Sequence, residues 1–300
     1  FWIGSAISDA NFMYLLFVAL FCIIPFGLVY YIISKNFIKI ATTKAGSVKI
    51  KYVERGFKMR TAKNALLRKE LRRFGSSAMY MLNTSLGLLF GVVGAVFLAV
   101  KADEALKLVN KLCVDESYLG ILAAVALCGL STMNIISAPS ISLEGKNLWI
   151  PQSLPVHARE VLFAKAKLQL VISIPAMLIT QIIFALALRL SAANIVVLFA
   201  LPIVFAIFSS LLGVYINLLF PKFDWVSETV AVKQGISILL TMLVLTIAVA
   251  LPVFVYVKIV QSHMDVLTYT LLLTALYGLA SLVLYRYLEE DGAKRFERLH

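Results

Sequence analysis

"IVVLFALPIVFAIFSSLLGVYINLL", residues 195–219, holds no charged side chain, and its only interruptions are one proline, one glycine and a few small or amide groups. About 20 residues of α-helix cross the roughly 30 Å hydrocarbon layer of a bilayer, so the run is long enough to span one. In lipid every backbone N–H and C=O must pair inside its own segment or barrel. A run this long and this evenly apolar therefore reads as a helix, since a barrel strand is about half as long and alternates. Working outward, the same reading applies to residues 11–34, 77–100, 118–136, 168–190, 235–257 and 266–288. The expected fold class is an all-α polytopic membrane protein with about seven transmembrane helices.

The composition agrees with that reading. Of 300 residues, 61% are hydrophobic and 15% charged, and the mean hydropathy is +0.92, far from the balance of a soluble domain. The formal net charge is +12, and 23 of the 28 Lys and Arg residues fall in alternate segments beginning with 35–76. Basic residues accumulate in cytoplasmic loops, which puts the start of the chain outside and the terminal "EEDGAKRFERLH", residues 289–300, in the cytoplasm. The expected location is a plasma membrane. The charge is a topology signal and a contact with anionic lipid, and no nucleic-acid partner is expected.

Four segments follow: a first span over 1–34, a basic cytoplasmic linker and amphipathic helix over 35–75, a six-span domain over 76–288, and a cytoplasmic tail over 289–300. Residues 35–60 show neither a helical nor a strand period. In "TAKNALLRKELRRF", residues 61–74, Leu67, Leu71 and Phe74 recur at helical spacing, while Lys63, Arg68, Lys69, Arg72 and Arg73 supply the polar side. That pattern predicts an interfacial helix beneath the bilayer, as a lipid anchor or as an element moved by a cytoplasmic partner. Gly87, Gly91 and Gly94 in the next run suit close approach to another helix.

Several chemistries lack their residues. No G-x-x-x-x-G-K-[ST] phosphate loop occurs; "EGKN" at 144–147 lacks the first Gly and the Ser or Thr. No H-E-x-x-H occurs, and His157, His263 and His300 lie in loops or the tail. Lysines stand only at span ends, where snorkelling explains them, and no carboxylate sits at mid-span. Cys22 and Cys128 fall within spans and Cys113 stands alone, so no disulfide framework is expected. The expectation is a chain without catalytic residues, metal or cofactor of its own. Pro175, Pro202 and Pro252 should kink their helices. Among the polar residues inside the apolar runs, Asn134, Gln181, Ser209, Tyr215 and Asn217 either pack helices or line a substrate path.

Two inner loops are richer than connectors need to be. In "ISLEGKNLWIPQSLP", residues 141–155, Ser142 can cap a short helix with Glu144 in its first turn, and Pro151 should end it after Ile150. It would present Leu148, Trp149 and Ile150 beside Glu144 and Lys146, an aromatic anchor ringed by charge. "FPKFDWVSETVAVKQG", residues 220–235, repeats that mixture with Asp224, Trp225, Glu228, Lys233 and Gln234.

"NALLRKELRRFGSSAMYMLNTSLG" (64–87), "ISAPSISLEGKNLWIPQSLPV" (136–156) and "NLLFPKFDWVSETVAVKQG" (217–235) resemble stretches of bacterial type 2 ABC transporter permeases, in particular the large exporter permeases common in Firmicutes. The resemblance runs from about residue 30 to 290. It implies a type 2 exporter-like core made of the last six spans, preceded by an elbow helix carrying Leu67, Leu71, Arg72 and Arg73. The loop holding Glu144, Gly145, Lys146, Leu148 and Trp149 would be a coupling helix, with Asp224, Trp225 and Glu228 beside it. By the same resemblance the partners are an ABC ATP-binding subunit in two copies, carrying ATP and Mg, and another permease half in the same longer chain or a second subunit. The first span then looks like the end of a preceding half. Pro151 departs from the pattern. The implied function is the membrane permease of an ATP-driven exporter. The rival reading is a membrane scaffold or sensor that binds a cytoplasmic regulator.

Overall fold

The computed structural model describes residues 12–42, 61–104, 107 and 116–299. The opening residues of the first run, most of the 35–60 linker, Cys113 and His300 lie outside them. The described residues form helices and turns, with no strand. The chain divides into two units, Phe1–Lys58 and Met59–His300. Of the first unit, α1 (Phe12–Thr42) is described, an apolar helix that runs through Pro25, with Lys35 over the ring of Tyr31 at 5.6 Å.

The second unit holds α2 (Ala62–Ser76), α3 (Ala78–Thr84), α4 (Leu86–Val100), α5 (Glu116–Ser131), α6 (Trp149–Ser153), α7 (Ala158–Ala187), α8 (Ala192–Leu219), α9 (Glu228–Lys233), α10 (Ile236–Val255), α11 (Val266–Tyr287) and α12 (Ala293–Glu297). The run read first, 195–219, is the middle of the unit. Over its most apolar window α8 is 56% buried, against 17–22% for α7, α10 and α11, which pack around it together with α5. Phe205 and Phe208 of α8 meet Tyr277 of α11 at ring distances of 5.3 and 5.5 Å, the aromatic centre of this core.

Among the described residues five helices are long and apolar enough to cross a membrane, the first within α1 and the others on α7, α8, α10 and α11. The expected seven differ in two places. The run 77–100 is two helices bent by 57° at Ser85. Ser77 accepts from the N–H of Tyr80 at the start of α3, and at its end the Thr84 carbonyl takes the N–H of Ile135, while the Tyr80 hydroxyl donates to the Ile136 carbonyl. Those bonds tie α3 to a neighbouring turn and turn it away from α4. The run 118–136 stops being helix at Ser131, because "STMNIISAPSI" folds into successive tight turns that lead to Pro139. N–H groups of those turns donate to the side-chain oxygens of Gln169 and Asn217, described below.

The prolines sit inside continuous helices, Pro175 in α7, Pro202 in α8 and Pro252 in α10. After Pro252 the helix widens to a π turn over Tyr256–Val260, with the N–H of Gln261 reaching the Tyr256 carbonyl at 2.9 Å. Gly87 shows why a glycine is needed on α4: a Cβ there would lie 2.0 Å from the Leu130 carbonyl oxygen of α5. Gly87 and Gly91 thus pack inside this unit, against α5 and α7, whereas Gly94 is exposed and has no atom within 4 Å of where a Cβ would stand.

Candidate functional site

Glu70, the ninth residue of α2, and the turns after α5 converge on one side chain of α7. Lys165 is fully buried, and its Nζ donates to Glu144 Oε1 at 2.7 Å, to the Ser140 carbonyl at 2.9 Å and to Glu70 Oε1 at 3.1 Å. All three ammonium protons are therefore used. Glu144 Oε1 also lies 3.0 Å from Lys69 Nζ, and its Oε2 lies 2.9 Å from Arg73 Nη1 as an ion pair rather than an aligned hydrogen bond. Arg73 Nη2 donates to the Leu143 carbonyl. Burial alone would push the Glu144 carboxyl up; the charges of Lys165, Arg73 and Lys69, with the Lys165 hydrogen bond, outweigh it and hold the carboxyl down at about 2.

The cluster redraws α2. Its buried positions are Leu66, Glu70 and Phe74, with Leu67 and Leu71 half-buried beside them, so the helix docks onto α7 through a carboxylate as well as through apolar groups. Arg72 stays outward, whereas Arg73, read from the sequence as part of the polar side, turns in to Glu144. Lys165 is no snorkelling lysine: α7 begins at Ala158, ten residues before the apolar run, and its early turns are inside the protein.

The loop 141–155 differs from the expected single helix. Ser142–Asn147 is a 3-10 turn, and Ser142 does not cap it. Instead the Ser142 hydroxyl accepts from the Lys222 N–H at 2.9 Å and from Asn217 Nδ2 at 2.7 Å. Gly145 has φ +53°, and the Trp225 ring lies where its Cβ would be, 2.8 Å from Cζ2. Trp225 Nε1 donates to the Ser142 carbonyl at 2.8 Å, closing one loop over the other. Pro151 does not end a helix after Ile150: it occupies the first turn of α6, where its missing N–H has no helical partner to lose. Leu148 is buried, while Lys146, Trp149 and Ile150 are exposed, Trp149 at 64%. Asp224 is exposed, and Glu228 begins α9 and accepts from the Ser77 hydroxyl at 2.5 Å.

The residues singled out for a substrate path make hydrogen bonds or ring contacts between helices and turns, with Asn134 Oδ1 and Gln181 Oε1 left without a protein partner among the described residues. Asn217 uses its whole amide: Oδ1 accepts from the N–H of Ile141 and Ser142 at 2.7 and 3.1 Å, and Nδ2 donates to the Ser142 and Ser237 hydroxyls. Gln169 accepts from the Ser137 N–H and donates to Ser209 at 3.0 Å. Asn134 donates to Ser173, Gln181 to the Leu198 carbonyl, and Tyr215 packs edge-on to Tyr287 at 5.0 Å. A separate apolar cavity of about 190 Å³ lies between α5, α8, α10 and α11, lined by Tyr118, Leu201, Tyr256 and Tyr269 among others, and none of these five residues lines it. Sequence reading missed Glu70 and Lys165; the signal that could have found them is a carboxylate and an ammonium each placed on the apolar face of its helix.

Across residues 2–288 the chain matches a family described as "Putative ATP-binding cassette". Comparison with curated proteins and with solved structures found no match in either. The family match overturns the reading drawn from resemblance, a permease without catalytic residues whose ATP and Mg lie only in a partner subunit, because the description is that of the ATP-binding cassette itself. The scaffold or sensor reading gains nothing from it. The sequence carries no G-x-x-x-x-G-K-[ST] loop, so that motif does not mark where a nucleotide would bind.

Proposed function

The chain belongs to that ATP-binding cassette family, and from this premise we propose that it is a membrane-embedded component of an ABC assembly, in which the Lys165 cluster makes α2, the 141–155 loop and α7 move as one body when nucleotide is bound or hydrolysed. One observation carries the reading: a single buried ammonium of α7 holds a carboxylate from each of the other two elements. A displacement of the loop is transmitted to the apolar helices only if the connection is stiff, and a fully satisfied buried network supplies that stiffness. The exposed Trp149 and Ile150, with Lys146 and Asp224 nearby in the two loops, form the face offered to another ABC component. The excess of Lys and Arg in alternate segments puts this face in the cytoplasm and the apolar helices across a plasma membrane, with anionic lipid around the basic side.

The test is made on the chain purified in mild detergent from its native membrane. Co-purifying proteins are identified by mass spectrometry, nucleotide binding to this chain is measured with a fluorescent ATP analogue, and tryptophan emission is followed as ATP and Mg are added. The expected result is an ATP-dependent emission change that Trp149→Phe removes and Lys165→Met blunts, in a preparation containing a further ABC component. If neither this chain nor a co-purifying protein binds nucleotide, and the emission is indifferent to ATP, the reading fails.

A further inference from the structure

On the face of α7 turned away from Lys165, Arg159, Glu160, Phe163, Ala164 and Lys167 recur over about two helical turns. With Lys63 of α2, Tyr285 of α11 and Glu289 in the turn after it, they line a crevice of about 260 Å³. Its wall is aromatic: the Phe163 and Tyr285 rings stack at 4.6 Å and 19°. Its mouth is charged and internally paired, Lys63 lying 4.0 Å from Glu160 and Arg159 3.5 Å from Glu289. Lys167 is different. It stands eight residues further along α7 than Arg159, about 12 Å deeper at 1.5 Å per residue, it is exposed, and among the described residues no carboxylate pairs with it.

We propose that this crevice binds the phosphate headgroup of an anionic phospholipid. Three cations face two carboxylates there, leaving one positive charge, and that charge is the one set deepest, at the level where α7 becomes continuously apolar. An ammonium at that depth is costly without a counter-ion, and a lipid phosphate delivers one at that level. The stacked Phe163 and Tyr285 offer the glycerol and upper acyl segments an apolar wall. The inference rests on the reading of the chain as membrane-embedded, and not on the transmission assigned to the Lys165 cluster.

The experiment is native mass spectrometry of the full chain released from detergent micelles after titration with phosphatidylglycerol or phosphatidylcholine, with ATP and inorganic phosphate added as competitors. Wild type should retain phosphatidylglycerol in preference to phosphatidylcholine, and Lys167→Gln should weaken that retention about fivefold, the effect of one interfacial charge. Lys101→Gln, a control on α4's far end, should not change it, and the ATP-dependent emission change should survive in Lys167→Gln because Lys167 faces away from Glu144. Equal retention by Lys167→Gln and wild type, or equal retention of the two lipids, would overturn the proposal. Displacement by ATP or phosphate would overturn it in favour of a soluble phosphate ligand. Because Lys167 is exposed, its substitution leaves the fold intact, and the circular dichroism of the variant checks this.

Discussion

Replacing Lys165 by Met tests the network at its centre. Met fills nearly the same volume without charge, so the perturbation is electrostatic rather than a cavity. Removing one member of a buried ion cluster costs about 3–5 kcal/mol, because the remaining charge is left without compensation. The geometry says which carboxylate bears that cost. Glu144 keeps Arg73 at 2.9 Å and Lys69 at 3.0 Å, whereas Glu70 keeps only Lys69, at 3.8 Å. Because only Glu70 loses its close cation, the expected loss lies at the lower end, about 3 kcal/mol. A second substitution then has a definite sign. Glu70→Gln should restore roughly half the loss in the Lys165→Met background, while Glu144→Gln should restore little, since Glu144 is still paired. The assay is denaturant or thermal unfolding in a fixed detergent, arranged as double-mutant cycles. If Lys165→Met is as stable as wild type within about 0.5 kcal/mol, or if Glu70→Gln adds its whole single-variant cost on top, the buried network described for Lys165 is wrong.

Other perturbations address the same region. Stability should be fully present above about pH 4.5 and fall as pH drops from there toward 2, because the Glu144 carboxyl titrates lower folded than unfolded; the depression is worth about 3 kcal/mol, and Glu144→Gln should flatten that limb of the unfolding curve. Gly145→Ala, at φ +53° with the Trp225 ring in the way, should cost about 1–2 kcal/mol for the backbone alone and shift tryptophan emission to the red in a Trp149→Phe background. Asn217→Leu should destabilise by several kcal/mol, roughly 1–3 for each of the two N–H groups it leaves bare, whereas Asn217→Asp keeps the acceptor and should be milder; equal effects would show that the amide does not hold the loop. Gly87→Ala should lower the unfolding midpoint, since its Cβ meets backbone of α5 rather than a movable side chain, at about 1–3 kcal/mol.

The apolar helices were legible because a period is not needed to recognise them: length and the absence of charge suffice, and 195–219 became α8 to within a few residues. Residues 118–136 exceeded their helix for the same reason. Hydropathy sums do not distinguish an apolar helix from an apolar series of turns whose backbone is satisfied by distant side chains, here Gln169 and Asn217. The charged cluster was passed over for a different reason, although Glu70 stands in line with Leu66 and Phe74. On α2 the sequence period selected Leu67, Leu71 and Phe74, whereas the most buried row is Leu66, Glu70 and Phe74, offset by about one residue, or 100° of helix. Glu70 counts as polar until its partner is known, and that partner is 95 residues away on another helix. A pattern within one element places an ionisable group on the solvent side by default. Only the tertiary arrangement, which lets one lysine neutralise carboxylates from two other segments, makes burial of all three favourable, so the site that most constrains this fold is the part that local sequence reading assigns to its surface.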